Sequence, residues 1–392
     1  MRKKIYIMAL ALLCAAMTAV SCIYPFTPET EDGSGALVIE GDILIGKESV
    51  IQISRTAPLS FPEGAEAPPT GKVWVENDAG AVINGVADPS KAGSYTVDTR
   101  YADSSKEYRL HFLDNESGKE YVSDWGHVCK APVIDSLSYN LNYEKAKLNI
   151  ALSMHSLGES FFKWSYVEDW EYHSLYYAEL KATYNPGSYR VDPSVTLTRM
   201  EWPESTFTCY KHAVSSRIMT FSTEGQTDDR FVDLEFLPID QDDNRISYLY
   251  RIVVDLEPIT KDAYLYWENI KSNSEYNGSL FAPTPSELVG NIHCVQEPNE
   301  MVMGYINVAE IARKELVVQH LKANFYKPKR TPPEEILSPS QWVEYYENYY
   351  LPYACVTPGV MSETYWAVAS CVDCRLLGGT FDAPDNWPPI DL

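Results

Sequence analysis

Val73-Trp74-Val75-Glu76-Asn77-Asp78-Ala79-Gly80-Ala81-Val82-Ile83 reads as two short apolar runs joined by a polar turn. The runs are β-branched and aromatic, which suits strands, and Asn-Asp-Ala-Gly supplies the small polar residues that a hairpin connection needs. The pairing of 73–75 with 81–83 is therefore the most secure in the chain. Outward from it, residues 37–45, 49–54, 72–76, 94–98, 107–113 and 120–125 have the same strand character. In 107–113 the alternation is clean, with Tyr108, Leu110 and Phe112 on one side and Arg109 and His111 on the other. That pattern predicts one buried and one wet face. Residues 114–118 form a second turn, and Pro62, Pro68 and Pro69 mark 60–70 as a surface loop. Six or seven strands over residues 37–130 predict an immunoglobulin-like or fibronectin-like β-sandwich.

Pro132 forces its predecessor extended, so 130–135 reads as a joint between domains. A second, larger β-sandwich-like domain is expected over 134–330. Its strands are 136–142, 147–153, 161–170, 216–222, 230–237 and 246–256, followed by candidates at 301–308 and 315–326. Residues 176–210, with Tyr176, Tyr177, Tyr184 and Tyr189, are less regular. One helix is expected at 260–272: Thr260 can cap it, and Ala263, Tyr266, Trp267 and Ile270 make one apolar stripe. Past a turn-rich stretch at 278–286 and a basic, Pro-rich loop at 327–333, Ser338-Pro339-Ser340-Gln341 has the form of a capping box. It predicts a short helix through Trp342, Tyr345 and Tyr346. The segment 331–392 is expected to be this helix and a Cys-rich, disulfide-rich tail, loop-like from 355 onward. The fold class is mainly β.

The amino terminus gives location. Arg2, Lys3 and Lys4 precede an apolar run over 5–13, and Ala19-Val20-Ser21 leads into Cys22. This is the order of a lipoprotein signal peptide, 1–21, with Cys22 as the first mature residue and the site of lipidation. Acyl chains such as palmitate, burying each CH₂ for about 0.8 kcal/mol, would anchor the protein. Residues 22–36, broken by Pro25, Pro28, Gly33 and Gly35, read as a tether. Net charge is −23; losing the three basic residues of the signal would take 32 basic against 55 acidic side chains to 29 against 55, or −26. A field of that sign disfavours nucleic acid.

Several stretches together resemble a known family: the lipobox start, Tyr248-Leu-Tyr-Arg-Ile-Val-Val254 running into Ala263-Tyr-Leu-Tyr-Trp267, Gly278-Ser-Leu-Phe281 with Pro285, Gly290-Asn-Ile-His-Cys294, Gly304-Tyr305, and a tail of Cys371-Val-Asp-Cys374 with Gly378-Gly379 and 384–387. They are similar to an outer-membrane lipoprotein family of Bacteroidota called domain of unknown function 4249. The resemblance implies an outer-membrane, lipid-anchored protein on the periplasmic or cell-surface side and a TonB-dependent transporter as partner. It brings no catalytic motif. Cys129 is not part of the pattern.

Beyond Cys14 and Cys22, six cysteines remain: Cys129, Cys209, Cys294, Cys355, Cys371 and Cys374. Export favours disulfides. The expected bonds are Cys355 with Cys371 or Cys374, and Cys209 with Cys294. Cys371-Val-Asp-Cys374 also admits a metal site, with Cys355 and His293 or Cys294, or a redox motif, and neither is preferred. No metal or other cofactor is expected. Asp240-Gln-Asp242-Asp243-Asn244 reads as a hairpin tip rather than a calcium loop, since it lacks the glycine turn. Asn115-Glu-Ser117 and Asn277-Gly-Ser279 read as turns.

The histidines show no HxxxH or HExxH spacing, and no nucleophile elbow or phosphate loop is present. A pair of glycosidase carboxylates is set by distance in space, which spacing does not reveal. The expected function is a non-catalytic binding lipoprotein, taking a glycan or peptide or serving a transporter. An adhesive or structural surface role, and a glycan or peptide hydrolase, are the alternatives. Phe162, Trp164, Tyr166 and Trp170 form an aromatic row that reads as core or as a sugar platform. Contact candidates are Trp164, Trp170, Trp267, Trp342 and Tyr346.

Overall fold

In a computed structural model of the chain, the residues described are 35–56, 67–201, 204–226, 228–275, 290–328 and 334–388. The signal segment 1–21, Cys22, the tether up to residue 34, Asn277, the stretch 278–286 and parts of the loops 60–70 and 327–333 lie outside them. The chain is mainly β. Among the described residues no helix is long and apolar enough to cross a membrane.

The hairpin forms as its sequence requires. Gly71–Asn77 pairs antiparallel with Val82–Ala87, with Glu76 opposite Val82. Asn77 Oδ1 accepts from the backbone N–H of Ala79 and Ala81 at 3.1 and 2.8 Å, and Gly80 takes the positive φ of 80°. The hairpin sits inside a ten-stranded sheet, whose order runs Ile292–Cys294, Glu120–Ser123, Glu107–Asp114, Gly71–Asn77, Val82–Ala87, Ser94–Asp98, Glu48–Arg55, Leu37–Glu40, Val302–Met303, with Gly126–His127 beside Glu107–Asp114. The sheet folds over on itself around Ile39, Ile51, Ile53, Val75, Leu110 and Phe112, all buried.

Its two ends meet. A Cβ added to Gly290 would lie 1.9 Å from the carbonyl oxygen of Gly304, and one added to Gly304 would lie 2.0 Å from that of Ile39. Residues 290–309 therefore belong to the first body, which corrects the expected 134–330 boundary of the second. The physical reason is edge satisfaction: Ile292–Cys294 and Val302–Met303 pair with strands that would otherwise expose unpaired backbone. For the same reason 301–308 is not one strand but two short ones, Val302–Met303 and Val308–Ala309, the latter parallel to Ile43–Leu44. The wet face expected at His111 is also corrected: the residue is 5% exposed, its ring stacked on Trp74 at 4.7 Å and held between Glu76 and Glu120 at 3.0 and 2.8 Å.

The second body is a sandwich of two antiparallel sheets. One is Val133–Asn142, Lys147–His155 and Arg230–Asp240; the other is Thr208–Val214, Phe161–His173, Leu249–Pro258 and Ala312–Gln319, with Met219–Ser222 also on Phe161–His173. Leu148, Ile150, Leu152 and Met154 of the first sheet meet Phe162, Ile252, Val254 and Leu256 of the second. The predicted helix, α1, is Lys261–Glu275, with Thr260 Oγ1 accepting from Ala263 N at 3.2 Å as a cap. The strand expected at 315–326 ends at Gln319 and gives way to a single helical turn, α2, His320–Ala323.

The carboxy-terminal segment is not loop-like. Tyr350–Thr357 and Val360–Val368 form a hairpin, extended by Glu335–Leu337. A short helix, α3, Trp342–Glu347, precedes it. Gln341 Oε1 accepts from Ser338 N at 3.2 Å, the reciprocal half of the expected capping box, but the helix begins one residue after Gln341. The irregular stretch 176–210 holds a hairpin of its own, Leu180–Asn185 with Ser194–Arg199. Leu180 and Leu197 share a core with Leu337, Trp342 and Trp366.

The disulfide pairing is also corrected. Cys209 bonds Cys374, Cα to Cα 5.8 Å, whereas Cys294, Cys355 and Cys371 are free thiols. Cys294 is buried in the core of the first body and so cannot face Cys209. Cys374 lies in the 3₁₀ turn Cys374–Leu377, which the Tyr172 hydroxyl, donating to the Cys374 carbonyl at 2.8 Å, and the Cys374 N–H, donating to Thr206 O at 3.0 Å, dock beside the strand Thr208–Val214.

Candidate functional site

The strand Phe161–His173 is the spine of the second body, and its alternation places different chemistry on its two faces. Even-numbered residues face the interior of the sandwich. Along one edge this strand pairs with Met219–Ser222 over 161–164 and with Thr208–Val214 over 167–173. Between those partners residues 215–218 loop away, and Ser215 alone closes the gap: its N–H donates to Tyr166 O at 2.8 Å and its Oγ accepts from Tyr166 N at 3.0 Å. Opposite, Arg230–Asp240 carries irregularities in its pairing and a positive φ of 57° at Asp233. A bulged strand bends. The two sheets thus part at this end and leave a cleft of about 640 Å³ lined by Trp164, Tyr166, Phe236, Glu168, Arg217 and Lys271, among others.

Its wall is aromatic. Phe236 lies edge-on to Trp164 at 5.9 Å and tilted to Tyr166 at 5.9 Å. Phe221 supports Trp164 from behind at 4.7 Å. The indole Nε1 of Trp164 is buried and meets no acceptor within the protein. Of the acids at the cleft, Glu168 accepts from Arg245 at 2.9 Å and from the Tyr250 hydroxyl at 2.8 Å, and Glu235 accepts from Asn140 and Asn149 at 3.2 and 2.8 Å. Both carboxylates are occupied. Arg217 is exposed at the rim, and Lys271, from α1, also lines it and pairs with Glu268 at 3.4 Å.

At the start of the same strand, its odd-numbered face meets the first body through Lys163. Lys163 Nζ reaches Asp42 at 2.6 Å and Glu257 at 3.1 Å, and lies over the ring of Trp267 at 4.9 Å. Asn307 donates to Glu257 at 2.9 Å and, through its backbone N–H, to Asp42 at 3.1 Å. Two carboxylates share one ammonium out of water. Burial first, then the charge of Asp42, pushes the Glu257 carboxyl up to about 7 against the pull of Lys163. For Lys163 burial opposes the charge, but Asp42 and Glu257 outweigh it and hold the ammonium above the ordinary lysine value.

A family described as a domain of unknown function (DUF4249) matches residues 23–315. The chain belongs to this family. No curated protein matches it. Residues 290–294 and Gly304, on which the expected resemblance partly rests, form the seam of the first sheet. Gly290 and Gly304 bring two backbones into contact. Asn291 donates through Nδ2 to Ile306 O at 2.9 Å and accepts at Oδ1 from Ile306 N at 2.8 Å, acting as a strand backbone would. Ile292 and Cys294 face the core, and exposed His293 pairs with Asp124 at 3.0 Å.

The predicted contact residues do not converge. Trp164 lines the cleft; Trp170, 8% exposed, belongs to the core of the second body; Trp267 lies at the joint; Trp342 is in the carboxy-terminal core; Tyr346 stacks on Tyr184 at 5.1 Å. The Cys371–Cys374 motif is divided, since Cys374 is bonded to Cys209 and burial raises the Cys371 thiol above its ordinary value. The acidic tip near 240–244 is occupied as well: Asp240 pairs with Lys147 at 3.1 Å and Asp243 with Arg245 at 2.9 Å. Sequence reasoning missed Phe236 and Arg217 as cleft residues. Phe236 reads as an ordinary core position of its strand, and Arg217 enters only through the loop where two edge strands change over.

Proposed function

We propose that this DUF4249 chain is a non-catalytic binding protein, carried by an acylated Cys22 on a bacterial outer membrane, that takes a glycan or peptide in the cleft beside Trp164. As an accessory of a TonB-dependent transporter it would hold that ligand at the membrane. The amino-terminal signal and lipobox, and the likeness to lipoproteins, support the location. The observation that carries the binding reading is the aromatic wall of Trp164, Tyr166 and Phe236 along an open cleft of about 640 Å³. Aromatic faces suit sugar rings or peptide side chains, and the exposed Arg217 favours a ligand with a carboxylate. Hydrolysis draws less support, because the cleft carboxylates Glu168 and Glu235 are already held by Arg245, Tyr250 and two asparagines. Among the described residues the one carboxyl pushed toward neutrality, Glu257, is buried at the joint.

The test is a screen of acidic and neutral oligosaccharides and peptides by tryptophan fluorescence and calorimetry on the purified full chain. A ligand is expected whose affinity falls roughly tenfold in Tyr166→Leu, which removes a ring from the wall, and again in Arg217→Ala. A ligand bound equally well by both variants, or turned over by the protein, would overturn this reading. Co-purification of a transporter barrel from solubilised membranes, and a fatty-acylated Cys22 in the mass spectrum, test the partner and the anchor separately.

A further inference from the structure

His127 and Cys129, two residues apart, meet Glu159 where the two β bodies come together. Their ligand atoms, an imidazole nitrogen, a sulfur and a carboxylate oxygen, all lie within 4.8 Å of one another. His127 ends the strand Gly126–His127 on the first body. Cys129 is fixed by its backbone, with its N–H donating to Val308 O and its carbonyl accepting from Glu310 N, each at 2.9 Å. Glu159 stands in the connection between Lys147–His155 and Phe161–His173 of the second body. The Ser156 hydroxyl, donating to the Glu159 carbonyl, shapes that connection.

We propose that these three side chains bind a thiophilic divalent cation of the zinc class, which braces the joint. The donor set fits: one sulfur, one imidazole and one carboxylate are all zinc ligands, and three protein ligands leave a fourth, tetrahedral position for water. The spacing fits as well. His127 Nε2 and Cys129 Sγ are 3.8 Å apart, against about 3.6 Å for N and S on one tetrahedral zinc. His127 is exposed and Cys129 buried, so the ion would enter from solvent at the imidazole and seat against the sulfur. Cys129 gives up its thiol proton to solvent as the sulfur–metal bond forms, and the other two ligands bind as neutral imidazole and carboxylate. Charge argues the same way. Among the described residues the Glu159 carboxylate forms no ion pair, and nearby Asp42 and Glu257 have only Lys163 between them. A divalent cation offsets that excess.

Cobalt(II), a spectroscopic stand-in for zinc, titrated anaerobically into the full chain with its Cys209–Cys374 bond intact tests this directly. One equivalent should bind with a sulfur-to-cobalt charge-transfer band, zinc should displace it, and zinc should raise the melting temperature. His127→Ala and Glu159→Ala alter accessible positions rather than the buried cysteine, so both should fold with unchanged circular dichroism. Each should weaken binding on the order of tenfold or more and abolish the zinc-induced rise in melting temperature. No charge-transfer band in the parent protein, or an equal band and equal affinity in both variants, would overturn the proposal, the second result assigning the metal to another thiol.

Discussion

At the scale of single residues, the joint is decided by a charge imbalance. Lys163 serves Asp42 and Glu257 together, Asn307 adds a donor to each, and the buried Cys129 thiol adds no positive charge. Glu257 therefore keeps its proton to about 7 in the folded protein, against 4.5 for a free side chain. Between those values the folded chain binds more protons than the unfolded one, so stability falls as pH rises through the window and levels off above it. The contribution is on the order of 3 kcal/mol for a shift of this size. Glu257→Gln, which cannot ionise, should lose this slope and be the more stable of the two proteins, relative to pH 4.5, at pH 8. Urea melts of both from pH 4.5 to 8 read it, and parallel slopes would place the imbalance elsewhere. None of this was legible in the sequence. Asp42, Lys163 and Glu257 are ordinary surface-type residues in strand patterns, and their meeting depends on how two separate bodies dock.

At the scale of elements, the hairpin at 73–83 was legible because its register is local: turn chemistry and alternation lie within eleven residues. The seam at Gly290 and Gly304 was legible only as a resemblance. Short apolar pieces interrupted by glycine look like weak strands, and nothing nearby says that they close a sheet begun 250 residues earlier. The geometry supplies the reason and a prediction. Gly304 has φ of 133° and no room for a Cβ beside Ile39 O, so Gly304→Ala should cost about 2–4 kcal/mol through strain and backbone displacement. Asn291→Ala strands both backbone groups of Ile306, about 1–3 kcal/mol each before water intervenes. Thermal melts measure both changes; Gly46→Ala, with open space around it, controls for positive φ alone. Losses no greater than that control would mean the seam is not a close contact. The carboxy-terminal hairpin was hidden for a related reason. Pro352 interrupts Tyr350–Thr357 at a register shift on an edge strand, where a missing N–H is tolerated, and a proline in a short run reads as loop.

At the scale of the whole molecule, the bond between Cys209 and Cys374 spans 165 residues and fastens the carboxy-terminal hairpin and its core to the outer strand of the second body. The expected Cys355 partnership failed because proximity in sequence is a poor guide once Cys355 lies within a strand while Cys371 and Cys374 occupy successive 3₁₀ turns. A loop of that length gives about 5 kcal/mol in the chain-entropy limit, and native disulfides usually return about 2–4. Replacing both cysteines by alanine avoids a stray thiol that Cys371 could capture. The double variant should lose about 2–4 kcal/mol in a denaturant melt. It should also lose amide protection over 334–388 and 208–214 well before the ten-stranded sheet does, because that sheet closes through Gly290 and Gly304 without help from the tail. Hydrogen exchange followed by mass spectrometry resolves the two regions. Simultaneous loss in both would mean that the tail and the first body unfold as one unit, and that the disulfide supports the joint at Lys163 as well as the strand it is bonded to.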